Sequence, residues 1–159
     1  MSAQQLNILL ADDDTDDCLF FKEAISGLIP PAIFTAVHDG EQLMQLLTGE
    51  SYKLPHILFL DLNMPRKNGF ECLSEIKHNK QLDKLPVVIF STSFEQEVVN
   101  LLYNNGAQYF IRKPSEFKLF KHIILYTLTL ITQAPSQDKH ILQPAMEDFV
   151  LTVENSLSV

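Results

Sequence analysis

The sequence is short of basic charge, of cysteine, of glycine and of long apolar runs, and each shortage removes a class of function. Twelve Lys and Arg stand against 20 Asp and Glu, a formal net charge of −8. No concentrated basic face is available to neutralise phosphates, so nucleic acid is not an expected partner. Cys18 and Cys72 are the only cysteines; they are too few for a secreted disulfide framework and form no C-x-x-C pair, which points to a reducing compartment. The five glycines, at 27, 40, 49, 69 and 106, build no phosphate-cradling loop of the Walker or dinucleotide type. The most apolar stretch, residues 123–131, is about half the length that spans a bilayer and is broken by Thr127 and Thr129. The N-terminal MSAQQLNILLADDD has no basic n-region of a signal peptide. A cytoplasmic protein with no membrane partner is expected.

What is present is a regular alternation. With 46% hydrophobic and 20% charged residues, the 159-residue chain has the composition of one folded domain. Short apolar runs at 7–11, 33–37, 57–60, 87–90 and 109–111 alternate with longer amphipathic segments, the pattern of βα units around a parallel sheet. Runs as continuous as ILFL and VVIF predict strands covered on both faces. Residues 16–28 place Cys18, Phe21, Ile25 and Leu28 at helical spacing, and Leu73 and Ile76 do the same within 70–78. Pro30-Pro31, Asp39-Gly40 and Asn68-Gly69 mark turns, Asn104-Asn105-Gly106 predicts a left-handed cap on the fourth helix, and a fifth helix is predicted over 116–132. The expected fold class is α/β, a doubly wound sheet of five parallel strands.

In such a sheet ligands sit beyond the carboxyl ends of the strands. The first strand is followed by Asp12, Asp13 and Asp14, the third by Asp61, Leu62 and Asn63, the fourth by Ser91, Thr92 and Ser93, and the fifth by Arg112, Lys113 and Pro114. Carboxylates gathered about 4 Å apart repel by roughly 4 kcal/mol per pair at an effective dielectric near 20, and a divalent cation relieves that repulsion. Oxygen ligands without His or Cys suit a hard ion, and Mg²⁺ prefers one or two carboxylates, waters and a phosphate oxygen. Lys113 offers a phosphate its point charge, Ser91 or Thr92 a hydroxyl, and one of the acids can act as the nucleophile. Asp14, Asp16 and Asp17 read as N-cap and first-turn acids of the first helix. The five histidines, at 38, 56, 78, 122 and 140, are scattered and suggest no metal cluster.

The strings ILLADDD, LDLNMPRKNGFE and PVVIFSTS, then a Gly-Ala followed by FIRKP, occur in this order across residues 6–132. Together they resemble the receiver domain of two-component response regulators. The resemblance implies a flavodoxin-like receiver fold with strand order 2-1-3-4-5. It implies that Asp61 is phosphorylated by a histidine kinase or phosphotransfer protein, and that Asp12, Asp13, Asp61 and the backbone carbonyl of Asn63 hold Mg²⁺. Ser91 then matches the switch hydroxyl, with Thr92 as the alternative; Lys113 matches the lysine that contacts the phosphoryl group, Phe110 the aromatic switch position, and Lys113-Pro114 a peptide that is usually cis. A protein of this kind is a switch and not an enzyme, its chemistry confined to its own phosphorylation and dephosphorylation. The competing expectation is an aspartate-nucleophile phosphatase of the haloacid-dehalogenase type, but its D-x-D-x-[TV] loop is missing, since Leu62-Asn63-Met64-Pro65 follows Asp61.

Residues 133–159 read as a tail: a Gln-, Ser-, Pro- and Asp-rich stretch over 133–140 and then one weakly amphipathic segment, 141–153. These 27 residues are too few for an independent domain, so no fused output domain is expected. The fifth helix is apolar nearly all round, through Ile123, Ile124, Leu125, Tyr126, Leu128, Leu130 and Ile131, and such a helix is normally covered. The tail can fold back over it, or it can form a homodimer or partner surface; the second is slightly preferred.

Overall fold

The computed structural model describes residues 5–133 and 143–157. Its strands are β1 (Asn7–Ala11), β2 (Ile33–Val37), β3 (Ile57–Leu60), β4 (Val87–Ser91), β5 (Tyr109–Arg112) and β6 (Val150–Leu151). The helices are α1 (Thr15–Ala24), α2 (Gly40–Thr48), α3 (Gly69–His78), α4 (Gln96–Asn104), α5 (Phe117–Thr132), α6 (Met146–Phe149) and α7 (Val153–Leu157). All pairings are parallel, in the order β2-β1-β3-β4-β5-β6. The expected order therefore holds for the first five strands, but the sheet has six. A two-residue strand between two short helices leaves no period-2 pattern, which is why the tail reads as a single amphipathic segment; residues 141–142 of that segment lie outside the described residues.

The alternation of side chains along each strand divides the core in two. Leu9, Ala11, Leu58, Leu60, Val87, Ile89 and Phe110 face one layer with Leu43, Leu73, Ile76 and Leu102 from α2, α3 and α4. Ile8, Leu10, Ile57, Phe59, Val88, Phe90 and Ile111 face the other with Phe21 of α1 and Phe120, Ile123 and Ile124 of α5. β3 and β4 are buried throughout. In the second layer Phe21 meets Phe59 edge-on at 4.7 Å, and Phe90 meets Phe120 at 5.3 Å. Such pairs add about 0.5–1.5 kcal/mol each beyond the area they bury.

Helix starts follow local chemistry. The Asp14 carboxylate accepts the backbone N–H groups of Asp16 and Asp17, the Asp39 carboxylate accepts that of Gln42, and Asn68 and Glu71 form a reciprocal capping box on α3. Gly106, at φ +95°, closes α4 in the left-handed conformation. α1 ends at Ala24, earlier than the apolar spacing through Leu28 suggests, where the Ser26 hydroxyl donates to the Glu23 carbonyl at 2.7 Å. Among the described residues no helix is long and apolar enough to cross a membrane.

The tail is built into this frame. Val150 and Leu151 pair with Phe110 and Ile111, and Phe149 is fully buried with its ring edge-on to Tyr103 at 5.0 Å. The Tyr103 hydroxyl donates to the Pro144 carbonyl at 2.7 Å, and the Gln143 amide donates to the carbonyls of Tyr103 and Ala107. α7 packs on α5, where Val153 lies against the same cluster as Leu125, Tyr126, Leu130 and Ile131. In the monomer, then, residues 143–157 cover the α4–β5 edge and part of α5.

Phe149→Ala is expected to lower the unfolding free energy by about 3–5 kcal/mol, the usual loss for a buried Phe. Leu157→Ala, at a side chain 60% exposed, should change it by less than about 0.5 kcal/mol. Urea denaturation followed by circular dichroism compares the two, and equal effects would remove the tail from the core.

Candidate functional site

The parallel register brings the carboxyl ends of four strands to one rim. Ladder bonds continue just past the strands and fix the residues there: the Asp12 N–H donates to Val37 O at 3.0 Å, the Asp61 N–H to Ala11 O at 2.9 Å, and the Lys113 N–H to Ser91 O at 2.9 Å. Asp12 is fully buried, Asp61 is 6% exposed and Asp13 is exposed. Each of the three offers a carboxylate oxygen, and these oxygens all lie within 4.8 Å of one another. The segment leaving Asp61 is packed tightly against the start of α3, where a Cβ on Gly69 would collide with the Asp61 carbonyl oxygen; only glycine lets α3 begin there.

Lys113 reaches across from β5. Its Nζ lies 2.8 Å from Asp12 Oδ2, 2.8 Å from Asp17 Oδ2 and 3.9 Å from Asp61 Oδ1, and sits 4.9 Å from the centroid of the Phe90 ring. Asp12 Oδ1 accepts the Asp14 N–H at 2.9 Å. Burial pushes the Asp61 carboxyl up to about 7, Lys113 opposes that rise, the Asp12 carboxylate adds to it, and the Asn63 N–H bonded to Asp61 works against it. Burial raises Asp12 as well, against the hydrogen bond and charge of Lys113. For Lys113, burial acts to lower the ammonium's pKa, but the bonds to Asp12 and Asp17 prevail and hold it above its ordinary value.

Of the hydroxyls on β4 and after it, Ser91 is fully buried, and its Oγ accepts the Ser93 N–H at 3.2 Å; Thr92 and Ser93 are exposed. Phe110 is fully buried, its ring edge-on to Phe94 at 6.2 Å, with the Arg112 guanidinium 5.7 Å from the Phe94 centroid. The Lys113-Pro114 peptide is not the cis bond that the resemblance implies. The one cis bond among the described residues is Ile29-Pro30, and trans is the lower-energy form of X-Pro by about 0.5–1 kcal/mol. Asp14 and Asp16 stay with the helix start, but Asp17 belongs to the rim. A helical side chain leans back toward the N-terminus, so a first-turn acid returns over the loop that α1 leaves, and only the lysine's position beyond the fifth strand shows what it meets.

The rim is thus an all-oxygen pocket in which four carboxylates meet one ammonium. The excess negative charge, and the absence of His or Cys from the donor set, fit a hard divalent cation held by Asp12, Asp13 and Asp61.

Residues 8–125 match the family model described as response regulator receiver domain. Response regulator Rcp1 of Synechocystis sp. is 31% identical over 121 residues, covering 73% of this chain and 82% of that protein. The phosphorylated cyanobacterial phytochrome response regulator RcpA superposes with a TM-score of 0.79 at 28% identity, over 84% of this chain and 98% of that one. The Mn²⁺-bound form of response regulator Rcp1 gives 0.75 at 26% identity, over 88% and 99%.

The folded chain holds the Asp61 proton up to about pH 7, whereas its ordinary value is 3.8. Ionisation of this group therefore subtracts stability as pH rises through that window, and the loss is complete above it. Asp61→Asn is expected to melt several degrees above the wild type near pH 8 and to keep little of that advantage near pH 4. Calorimetry at both values checks it; an equal advantage at the two would contradict it.

Proposed function

The chain belongs to the response regulator receiver family, and from that premise we propose that Asp61 accepts a phosphoryl group from a phosphohistidine on a histidine kinase or phosphotransfer protein. The observation that carries this is the placing of Asp61 at the rim between two acids and the one ammonium that, among the described residues, reaches them. One Asp61 oxygen attacks phosphorus in line, the phosphorus–nitrogen bond to the donor's imidazole breaks, and an acyl phosphate is left on Asp61. Lys113, 3.9 Å from Asp61, neutralises charge on the phosphoryl oxygens. Asp12, Asp13, Asp61 and the Asn63 carbonyl would hold Mg²⁺, which when bound supplies charge neutralisation for the transferring group; the Mn²⁺-bound Rcp1 structure supports a divalent ion in such a pocket.

The signal is then conformational. Ser91 ends β4, pairs with Arg112 of β5, and lies beside the strand that carries Phe110. Turning of the Ser91 hydroxyl toward a phosphoryl group would disturb its bond with Ser93 and the packing of Phe110 on Phe94. The surface that changes is α4–β5–α5, which the tail shares. A second copy meeting α5, the homodimer expected from the helix's composition, would meet α7 there as well. RcpA is named a phytochrome response regulator, which favours a phytochrome-type kinase in the cytoplasm as donor. Leu19 and Phe20 of α1 are exposed apolar side chains, the Phe20 ring lying 5.7 Å from that of Phe117 of α5, and offer a protein donor a footing. The protein turns over no separate substrate. The haloacid-dehalogenase alternative gains nothing from the site, because Asn63 stands where its second aspartate is needed.

Incubation with Mg²⁺ and a small acyl phosphate is expected to add one phosphoryl mass to the wild type and none to Asp61→Asn, as read by mass spectrometry of the intact protein. Lys113→Ala should slow the addition by on the order of 10²-fold. Labelling of Asp61→Asn would overturn the assignment.

A further inference from the structure

We propose that Asp17 is a positioning residue that parks the Lys113 ammonium away from Asp61, and so sets how readily the site takes a phosphoryl-like anion; this rests on Asp61 being the acceptor. An ammonium has three protons to give. In this structure two of them are directed to Asp12 and Asp17, both at 2.8 Å, while Asp61 at 3.9 Å is beyond a hydrogen bond. Lys113 thus makes no hydrogen bond to Asp61 while both partners hold it, and an anion on Asp61 competes with them for the ammonium.

Among the described residues, Lys113 is the partner to which the Asp17 carboxylate is directed. The start of α1 is capped by Asp14, whose carboxylate takes the N–H groups of Asp16 and Asp17. The Asp17 carboxylate itself points across the rim to a lysine 96 positions further along the chain.

Its burial distinguishes it from the other partner. The Asp12 side chain is wholly inaccessible, whereas that of Asp17 is 20% exposed. Separating Lys113 from Asp12 would strand a buried charge, which is strongly unfavourable. Separating it from Asp17 leaves a carboxylate that water can reach and solvate. Asp17 is thus the partner that lets go, and it competes with whatever anion forms on Asp61. Asp13 and Asp61 face the same region but are needed for the cation and the phosphoryl group; Asp14 and Asp16 are exposed and make no bond to Lys113.

The probe is the beryllium fluoride anion BeF₃⁻ with Mg²⁺, titrated into the full chain and followed by ¹⁹F and ¹H–¹⁵N NMR. Because partly exposed ion pairs shift equilibria only modestly, Asp17→Ala is expected to bind BeF₃⁻ about three- to fivefold more tightly. Asp16→Ala, which removes the same charge from the adjacent exposed position, should bind like the wild type within about twofold, and Asp17→Glu should restore wild-type affinity. In protein free of Mg²⁺ and BeF₃⁻, the Lys113 Nζ resonance should shift in Asp17→Ala and not in Asp16→Ala. Equal affinities for the two alanine variants, or weaker binding by Asp17→Ala, would overturn the role of Asp17 alone. No uptake of BeF₃⁻ by the wild type would overturn the acceptor role of Asp61 and this proposal with it.

Discussion

Two carboxylates on neighbouring strands cannot both be buried and charged without an answering cation, and much of this molecule is arranged around that constraint. β1 pairs with β3 so that Ala11 lies beside Leu60, and Asp12 and Asp61 follow as the next residues of each strand. Their closeness is a consequence of register and could not be relaxed without slipping the sheet. The answering charge comes from beyond β4, two strands away from β3 in the sheet order. The Lys113 ammonium sits 4.9 Å from the centroid of the Phe90 ring, whose negative face favours it there. The arrangement is poised because one ammonium does not satisfy four acids.

Such a site works against the stability of the chain that holds it, and the surrounding packing offsets this. The strands that present Asp61 and Ser91 are buried over their whole length, and Phe21, Phe59, Phe90 and Phe120 lock the layer beneath Lys113. Rigidity below the rim and unresolved charge on it is the distribution expected where function tolerates local conflict.

Most of the sheet is legible in the sequence because strands covered on both faces leave unbroken apolar runs, and the rim follows from where those runs end. Asp12, Asp13, Asp61 and Lys113 stand out because each interrupts the apolar pattern at a strand end with a charge. The separation of Ser91 from Thr92 is less legible: both are hydroxylic neighbours, the preference for Ser91 comes from the resemblance, and the fold adds that Ser91 is buried and Thr92 exposed. Asp17 is hidden by its own plausibility, since a first-turn acid already has a sufficient explanation in the helix dipole. β6 is hidden by brevity. Two residues make no period, and what makes them a strand is the free edge of β5, which belongs to another part of the chain.

That edge has a further meaning when β5 is regarded as a surface open to competition. An outermost strand is a template for any extended peptide able to add to it. Here the template is taken by a segment of the same molecule, and a tethered segment acts at an effective concentration in the millimolar range. A partner that inserts along β5 must outcompete this tethered segment to displace Val150 and Leu151, and must also empty the pocket that Phe149 fills. The tail thus sets an affinity threshold on the strand that carries Phe110.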